Sequence, residues 1–307
     1  MAPATRPAPP INGSSAEITA WLNGPALNAP ELSDDIRFSV VLSALNVPAG
    51  RQDIDELWDG TAHISWLGGP AVGPLTQWPQ RRDGKKLAHV ASLHLGEVAD
   101  VIEDQQRTVW GPGMPDRNDP AQSLPDSGVL EVFHDCEASG YEADDGPSGA
   151  WHVRWVQTPD GGIVDAPDDA EPPTDVCQVV IPSASFSLRP PADNMDLPDA
   201  AFNRVLDAHD AVHDAWQSFY KAGREKVFMP LSHVYGHGWK GITEISGILN
   251  DVLPLQEGDE HVLLLDLEGW THLEGWFGDA GHLEVWMRRS DLAARAFDKA
   301  WCLIRMG

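Results

Sequence analysis

Cysteine is scarce in this chain of 307 residues, which carries only Cys136, Cys177 and Cys302. Their odd number and wide spacing exclude a disulfide framework and a Cys-x-x-Cys metal clip, and they fit a reducing compartment. Long apolar runs are also missing. No segment approaches the roughly 20 apolar residues that cross a bilayer, and the first ten residues lack a signal-peptide core. We therefore expect a cytoplasmic protein with no membrane partner.

Basic residues are equally sparse. Lys and Arg total 21 against 47 Asp and Glu, so the formal net charge is −26. Such a surface repels the phosphates of nucleic acids and attracts basic proteins, whose association it accelerates. We therefore expect a basic protein partner and no nucleic acid. Solubility or adaptation to high salt would explain the same charge, and the oligomeric state is left open.

The familiar catalytic motifs are absent as well. The sequence has no Walker loop and no Gly-x-Ser-x-Gly elbow, and Gly236-His237-Gly238 is too short for a dinucleotide site. Gly68-Gly69 precedes no helix pattern, so a phosphate cradle is not expected there. We expect no cofactor, and the sequence favours a protein without enzymatic activity while leaving that question undecided.

An internal repeat is the most informative feature that is present. The hexapeptide 128–133, Gly-Val-Leu-Glu-Val-Phe, returns at 281–286 as Gly-His-Leu-Glu-Val-Trp, with four of six positions identical. A glycine-rich turn and an apolar strand pattern precede each copy. This order predicts a tandem duplication with half-repeats at about 63–157 and 231–307.

The remaining patterns predict an α+β fold of duplicated, mostly antiparallel sheet units with flanking helices. Residues 1–13 are rich in Pro and Ala and are expected to be disordered, so that 14–307 form a single domain. Ser14 and Glu17 form a capping-box pattern. The other predicted elements are strands at 36–45, 87–95, 151–157, 261–267 and 301–304, an acidic loop at 159–175, a helix at 199–222 and a short helix at 292–297.

The carboxy-terminal segment resembles a known family. Gly278-Asp279-Ala280-Gly281, the strand after it, Asp291-Leu292, and Phe297 four residues before Trp301 are similar to the signature of the YwqG-like family of bacterial proteins. This resemblance implies an α+β fold with a duplicated sheet unit and no established enzymatic activity. Family members have been proposed as partner-binding or immunity proteins that neutralise toxins.

His209 and His213 are the histidines with the spacing of a metal site; His233, His237, His272 and His282 are scattered over the carboxy-terminal half without such spacing. The spacing of His209 and His213 places both imidazoles on one face of the predicted helix, as in zinc proteases. However, both lie in the apolar stripe of that helix, and Asp210 is one methylene shorter than the glutamate that zinc proteases use. Packing is the preferred interpretation, and a metal-assisted hydrolase is the alternative.

Two further groups of residues are candidates for function. Glu131 and Glu284 hold matching places in the two copies and would pair as catalytic carboxylates if the halves faced each other, but a half-solvated sheet face is the preferred interpretation. The second group is a candidate binding surface in the carboxy-terminal half. Its members are Trp239, Trp270, Trp276, Asp279 and His282.

These observations favour a non-catalytic, cytoplasmic protein-binding module. An immunity protein that neutralises a basic toxin is one example of such a module. The alternatives are the hydrolase described above and a carbohydrate- or peptide-binding module that uses the tryptophans.

Overall fold

The computed structural model describes residues 8–44, 50–102, 110, 114–116, 118–171, 177–220, 232–269, 273, 275–279 and 281–306. Within these ranges the helices are α1 (Ser15–Leu22), α2 (Arg51–Leu57), α3 (Leu95–Asp100), α4 (Asp145–Ser148), α5 (Asp199–Tyr220), α6 (Ser246–Val252) and α7 (Arg289–Ala293). The strands are β1 (Arg37–Ala44), β2 (Ser65–Gly68), β3 (Ala71–Val72), β4 (Ala88–His94), β5 (Val129–His134), β6 (Trp151–Val156), β7 (Ile163–Val164), β8 (Cys177–Ser187), β9 (His233–Val234), β10 (His261–Glu268), β11 (His282–Arg288) and β12 (Trp301–Arg305).

The helix signals at 14–17 and 199–222 are confirmed, whereas the helix predicted at 292–297 begins instead at Arg289 and ends at Ala293. Ser14 caps α1 in a capping box: its hydroxyl accepts the Glu17 N–H, and the Glu17 carboxylate accepts the Ser14 N–H at 2.8 Å. The predicted helix at 199–222 is α5, whose last two predicted residues lie outside the described ranges. Of the segment expected to be disordered, residues 1–7 also lie outside them, and Ile11 is buried ahead of α1.

Ten strands form one sheet in the order β12-β11-β10-β9-β1-β8-β2-β4-β5-β6. The pairings along this sheet are antiparallel, which confirms the mixed α+β class with mostly antiparallel strands. The central pair is β1 with β8, so four strands extend outward on each side of it. The sheet curls until its edges approach each other: the rings of Trp151 and Trp301 are 4.7 Å apart, and the Ile304 N–H donates to the Ser139 carbonyl at 2.9 Å.

The two outer arms of the sheet share their irregularities. The β4–β5 register shifts between His89 and Ala91, and the β10–β11 register shifts between Leu263 and Leu265. Each arm also contains two consecutive residues with positive φ, directly after or at the end of its innermost strand. They are Gly68 and Gly69 in one arm, and Tyr235 and Gly236 in the other.

Alternation along β5 and β11 separates two faces of the sheet, as the sequence predicts. Leu130 and Val132 of β5 belong to the main core, together with Leu283 and Val285 of β11. The aromatic residues that follow them lie on the opposite face, in smaller apolar clusters. The repeated Leu-Glu-Val motif therefore places its glutamate on the same face as its aromatic residue.

The expectation of a continuous loop at 159–175 is wrong in part. Ile163 and Val164 form β7, which pairs with β3 in a separate two-stranded sheet. Two β-branched apolar residues suit a strand even within an acidic segment; residues 172–175 lie outside the described ranges. None of the described helices combines the length and apolar character that a membrane crossing requires.

Candidate functional site

The turn after β9, residues 235–239, is the centre of the candidate site. Tyr235 and Gly236 have φ of 62° and 82°, and a Cβ on Gly236 would lie 2.1 Å from the Ser39 hydroxyl oxygen. Glycine is therefore required both by the backbone conformation and by the close approach. The His237 N–H donates to Ser187 Oγ at 2.8 Å, so the turn is anchored on the central strands β1 and β8.

A cavity of about 30 Å³, with room for about two water molecules, separates this turn from α5. The imidazoles of His209 and His213 pack on the Trp239 indole, with ring centroids 4.8 and 5.6 Å away. Burial lowers the pKa of His209 to about 3 and that of His237 to about 4. The lining residues are Ser187, Leu188, His209, Val212, His213, Trp216, His233, His237, Gly238 and Trp239.

The packing of these imidazoles agrees with the preferred interpretation of His209 and His213. Over the described ranges, no three His, Cys, Asp or Glu side chains are grouped as metal ligands. At neutral pH, a pKa near 3 keeps His209 uncharged, so it can lie against an aromatic ring without the cost of burying a charge.

A buried ion pair lies beneath the turn. Asp266 accepts the Trp239 N–H at 2.8 Å and contacts His282 Nδ1 at 2.5 Å. Burial is the largest influence on the pKa of Asp266 and would raise it, but the charge and hydrogen bond of His282, together with the charge of His233 and the Trp239 N–H, lower that pKa to about 2. Burial opposes the charge on His282, yet Asp266 raises the pKa of His282 above its ordinary value. The pair therefore holds the turn to β10 and β11 through charged hydrogen bonds.

Glu284 lies next to this pair and behaves differently. Its Oε2 accepts from Arg305 at 3.1 Å and from the Trp286 indole at 2.9 Å, whereas its Oε1 has no hydrogen-bond partner among the described residues. Burial, reinforced by the charge of Asp266, raises the pKa of Glu284 to about 7. Since Asp266, His282 and Glu284 are all fully buried, this network is placed to support the turn rather than to contact a solute.

Glu131 occupies the corresponding strand in the other arm but has its own partners. It accepts from the Val72 N–H at 2.7 Å, Ser92 Oγ at 2.9 Å and Arg154 Nε at 2.6 Å. Burial alone would raise the pKa of Glu131, but its neighbours, His89 and Arg154 among them, lower it below its ordinary value. Glu131 and Glu284 are thus held in two separate networks, and the hypothesis that they pair as catalytic carboxylates is wrong.

An acidic surface lies on the other arm, where α2 meets the turn at 160–162. Arg51 binds both Asp55 and Asp165, and Gly60 packs against Gly161, so the two segments are contiguous. Leu57, at the end of α2, is 51% exposed. We name this region the α2 surface. Its exposed carboxylates are Asp53, Asp55, Glu56, Asp59, Asp160 and Asp165.

The residues of the predicted binding surface have different environments. Trp239 lines the cavity, and His282 is buried in the ion pair. Trp276 packs against the main core, while Asp279 is exposed in a turn; Trp270 lies outside the described residues. Asp266 and Arg305, which complete the buried network, are not predicted from the sequence. The available signal was a charged residue within an otherwise apolar strand, because burying a charge requires a partner.

Comparison with known proteins places the chain in a family without assigning an activity. A family model described as a domain of unknown function (DUF1963) matches residues 65–305. A search of curated proteins found no match. The matched range covers most of the chain and contains β2 to β12, including the turn and both buried networks. The protein therefore belongs to the DUF1963 family.

Proposed function

We propose that this protein is a non-catalytic binding module of the cytoplasm that holds a basic protein, in the manner of an immunity protein that neutralises a toxin. The observation that carries this proposal is the α2 surface, where exposed carboxylates of α2 and of the adjoining turn accompany the exposed apolar side chain of Leu57. A basic partner would meet complementary charge there and would bury an apolar anchor at its centre.

The exposed carboxylates and Leu57 are expected to contribute to binding in different ways. Exposed charge pairs each contribute about 0–1 kcal/mol, so the carboxylates chiefly steer the encounter and select a partner of opposite charge. Full burial of a leucine side chain contributes about 1.5–3 kcal/mol. Leu57 is therefore the residue expected to govern dissociation, and the carboxylates are expected to govern the association rate and its dependence on salt.

A matched pair of variants tests the proposal. The α2 variant combines Asp55→Asn, Glu56→Gln and Leu57→Ser. The control variant combines Glu142→Gln, Asp144→Asn and Met306→Ser, which neutralise two exposed carboxylates and remove an apolar side chain that is 63% exposed. The two variants have the same net charge, so a difference in partner capture between them shows where on the protein the partner binds.

Each immobilised protein is used to capture partners from a lysate of the native host, and captured proteins are identified and measured kinetically. We expect a basic protein that binds the wild type and the control variant but not the α2 variant. Its association rate should fall about tenfold or more as salt rises from 20 to 200 mM, since the Debye length shortens accordingly. Equal capture by both variants, or a salt-independent association rate, would contradict the proposal.

The two arms of the sheet are proposed to descend from one duplicated unit of YwqG-like type. Strand pairing supports this: when the Leu-Glu-Val motifs of β5 and β11 are aligned, the bulges of their partner strands β4 and β10 fall at the same register, since Ala91 pairs with Val132 as Leu265 pairs with Val285. In each arm a backbone N–H that follows the turn also donates to a buried carboxylate: Val72 to Glu131 of β5, and Trp239 to Asp266 of β10.

An experimental structure tests the duplication. Superposition of β4 and β5 on β10 and β11, with the two bulges aligned, should also bring β2 onto β9 and β6 onto β12. If β2 and β6 do not superpose on β9 and β12 in that alignment, the duplication is refuted.

A further inference from the structure

Among the described residues, β9 is much shorter than the strands on either side of it. There it pairs with β1 at Val40 and Val41, and with β10 at Leu265 and Asp266. Beyond Val234 the chain leaves the sheet through the turn described above. Residues 37–39 of β1 and 261–264 of β10 therefore continue past the end of β9 and flank a gap, which we name the β1–β10 slot.

The slot has the width of one strand. Because β9 is hydrogen-bonded to both β1 and β10, these two strands are separated by two inter-strand spacings, about 9–10 Å. The cavity at this place has a volume of about 400 Å³. At about 3.3 Å per residue, the flanking segments match an added strand of about three or four residues.

Backbone groups of both walls are directed into the slot. The Leu42 N–H donates to the Ser232 carbonyl at 2.8 Å, on the β9 side of β1. Since alternate residues of a strand direct their N–H and C=O groups to the same side, Phe38 directs its groups into the slot. On β10 the Leu264 carbonyl accepts the Tyr235 N–H at 3.3 Å, at the inner end of the slot. Phe38 is buried, where a backbone polar group requires a partner, whereas the Leu264 carbonyl has its partner in Tyr235 and marks where the slot begins.

Side chains around the slot suit a peptide with apolar residues and basic flanks. The rim carries two arginines, Arg37 and Arg289, which pair with Asp35 and Glu260. Asp34 adds a further carboxylate, so the rim is net negative. The apolar side chains that line the slot are Ile36, Phe38, Met114, Val262, Leu263, Leu264 and Leu292.

We propose that the slot binds an extended polypeptide segment, apolar at alternate positions and basic at its ends, which adds a strand between β1 and β10. Main-chain hydrogen bonds would supply affinity, and the apolar lining and acidic rim would supply specificity. This proposal rests on the proposed function as a protein-binding module, to which it adds a second contact with the partner.

The test uses a synthetic probe, the heptapeptide acetyl-Lys-Val-Thr-Val-Thr-Val-Lys-amide, and the full chain. We expect saturable binding, with slowed hydrogen exchange of the Phe38 amide. The same peptide with its three central amides methylated should bind at least about tenfold more weakly, because methylation removes the main-chain hydrogen-bond donors of the added strand. Binding that is absent, or that is unaffected by methylation, would overturn the proposal.

A second experiment uses a variant of the slot. Gln122 is an exposed residue on the slot wall, and the variant Gln122→Trp is designed to fill the slot. The control is Gln157→Trp, at an exposed position in the other arm of the sheet. Only Gln122→Trp should abolish peptide binding, at an unchanged melting temperature. A wild-type dimer that Gln122→Trp converts to a monomer would overturn the peptide as occupant in favour of a second copy of the chain.

The two proposals fail separately. If the α2 variant loses the captured partner while Gln122→Trp keeps it and the heptapeptide does not bind, the slot proposal is wrong and the proposed function stands. Suppose instead that the α2 variant and Gln122→Trp both capture the partner normally, and that the heptapeptide binds to the wild type and Gln157→Trp but not to Gln122→Trp. The slot then binds peptides, but the α2 surface is not the partner site.

Discussion

Replacing Glu284 by glutamine tests the account of the buried network. The pKa of this carboxyl is about 7 in the folded protein against 4.5 ordinarily, so the folded state binds its proton more tightly than the unfolded state. The free energy of unfolding therefore falls as pH rises from about 4.5 to about 7. The full loss is about 3 kcal/mol, at about 1.4 kcal/mol per pKa unit.

Glutamine resembles the protonated carboxyl and does not titrate. We therefore expect Glu284→Gln to gain stability relative to the wild type as pH rises. The isoelectric point is about 4.6, so measurement begins at pH 5.5, away from zero net charge. Between pH 5.5 and 8 the difference in free energy of unfolding between the two proteins should change by about 2 kcal/mol.

The assay is urea unfolding followed by tryptophan fluorescence, at several pH values across this range. Glu257→Gln, at an exposed position, is the control and should follow the wild type. If the profiles of Glu284→Gln and the wild type are parallel between pH 5.5 and 8, Glu284 does not hold its proton in the folded protein. The description of the network beneath the turn would then be wrong.

Three other substitutions test separate parts of the structure. Gly236→Ala should cost at least about 1–3 kcal/mol from its positive φ and the clash with Ser39, whereas Gly247→Ala, in α6 with open space around it, should be neutral or stabilising by up to about 1 kcal/mol. Asp266→Asn should destabilise by about 3–5 kcal/mol, because it leaves His282 buried without its counter-charge; a loss below about 1 kcal/mol in urea unfolding would contradict the buried ion pair. Ser14→Ala should cost about 1 kcal/mol through loss of the helix cap, measured as a lower melting temperature, and no change would mean that α1 contributes little to global stability.

The sequence identifies elements whose patterns are local. The capping box of α1, the apolar stripe of α5 and the alternation in β6 each depend on residues a few positions apart, and the structure confirms all three. By contrast, no strand is predicted at β8, which contains Pro182, a residue that is uncommon in central strands. In the structure Pro182 lies opposite Leu42. The Leu42 N–H is directed to β9, so the pairing of β1 with β8 requires no backbone N–H from Pro182.

The candidate site is predicted less completely, because its contacts join distant segments. Helical spacing identifies His209 and His213 as neighbours, but only the fold shows that Trp239 lies against both. Similarly, the repeat identifies Glu284 as a special position without indicating that Arg305 binds it. Partners that lie on different strands depend on strand order, and strand order is not encoded in local periodicity.

The central position of β1 has a consequence for how the protein is made. On the ribosome β1 emerges before both of the strands that flank it, β8 and β9. Strand β1 must therefore stay unpaired until those later segments have been synthesised, and loop closure over such distances slows folding. Nascent chains of this protein are expected to expose this apolar strand until then, which makes them substrates for ribosome-associated chaperones.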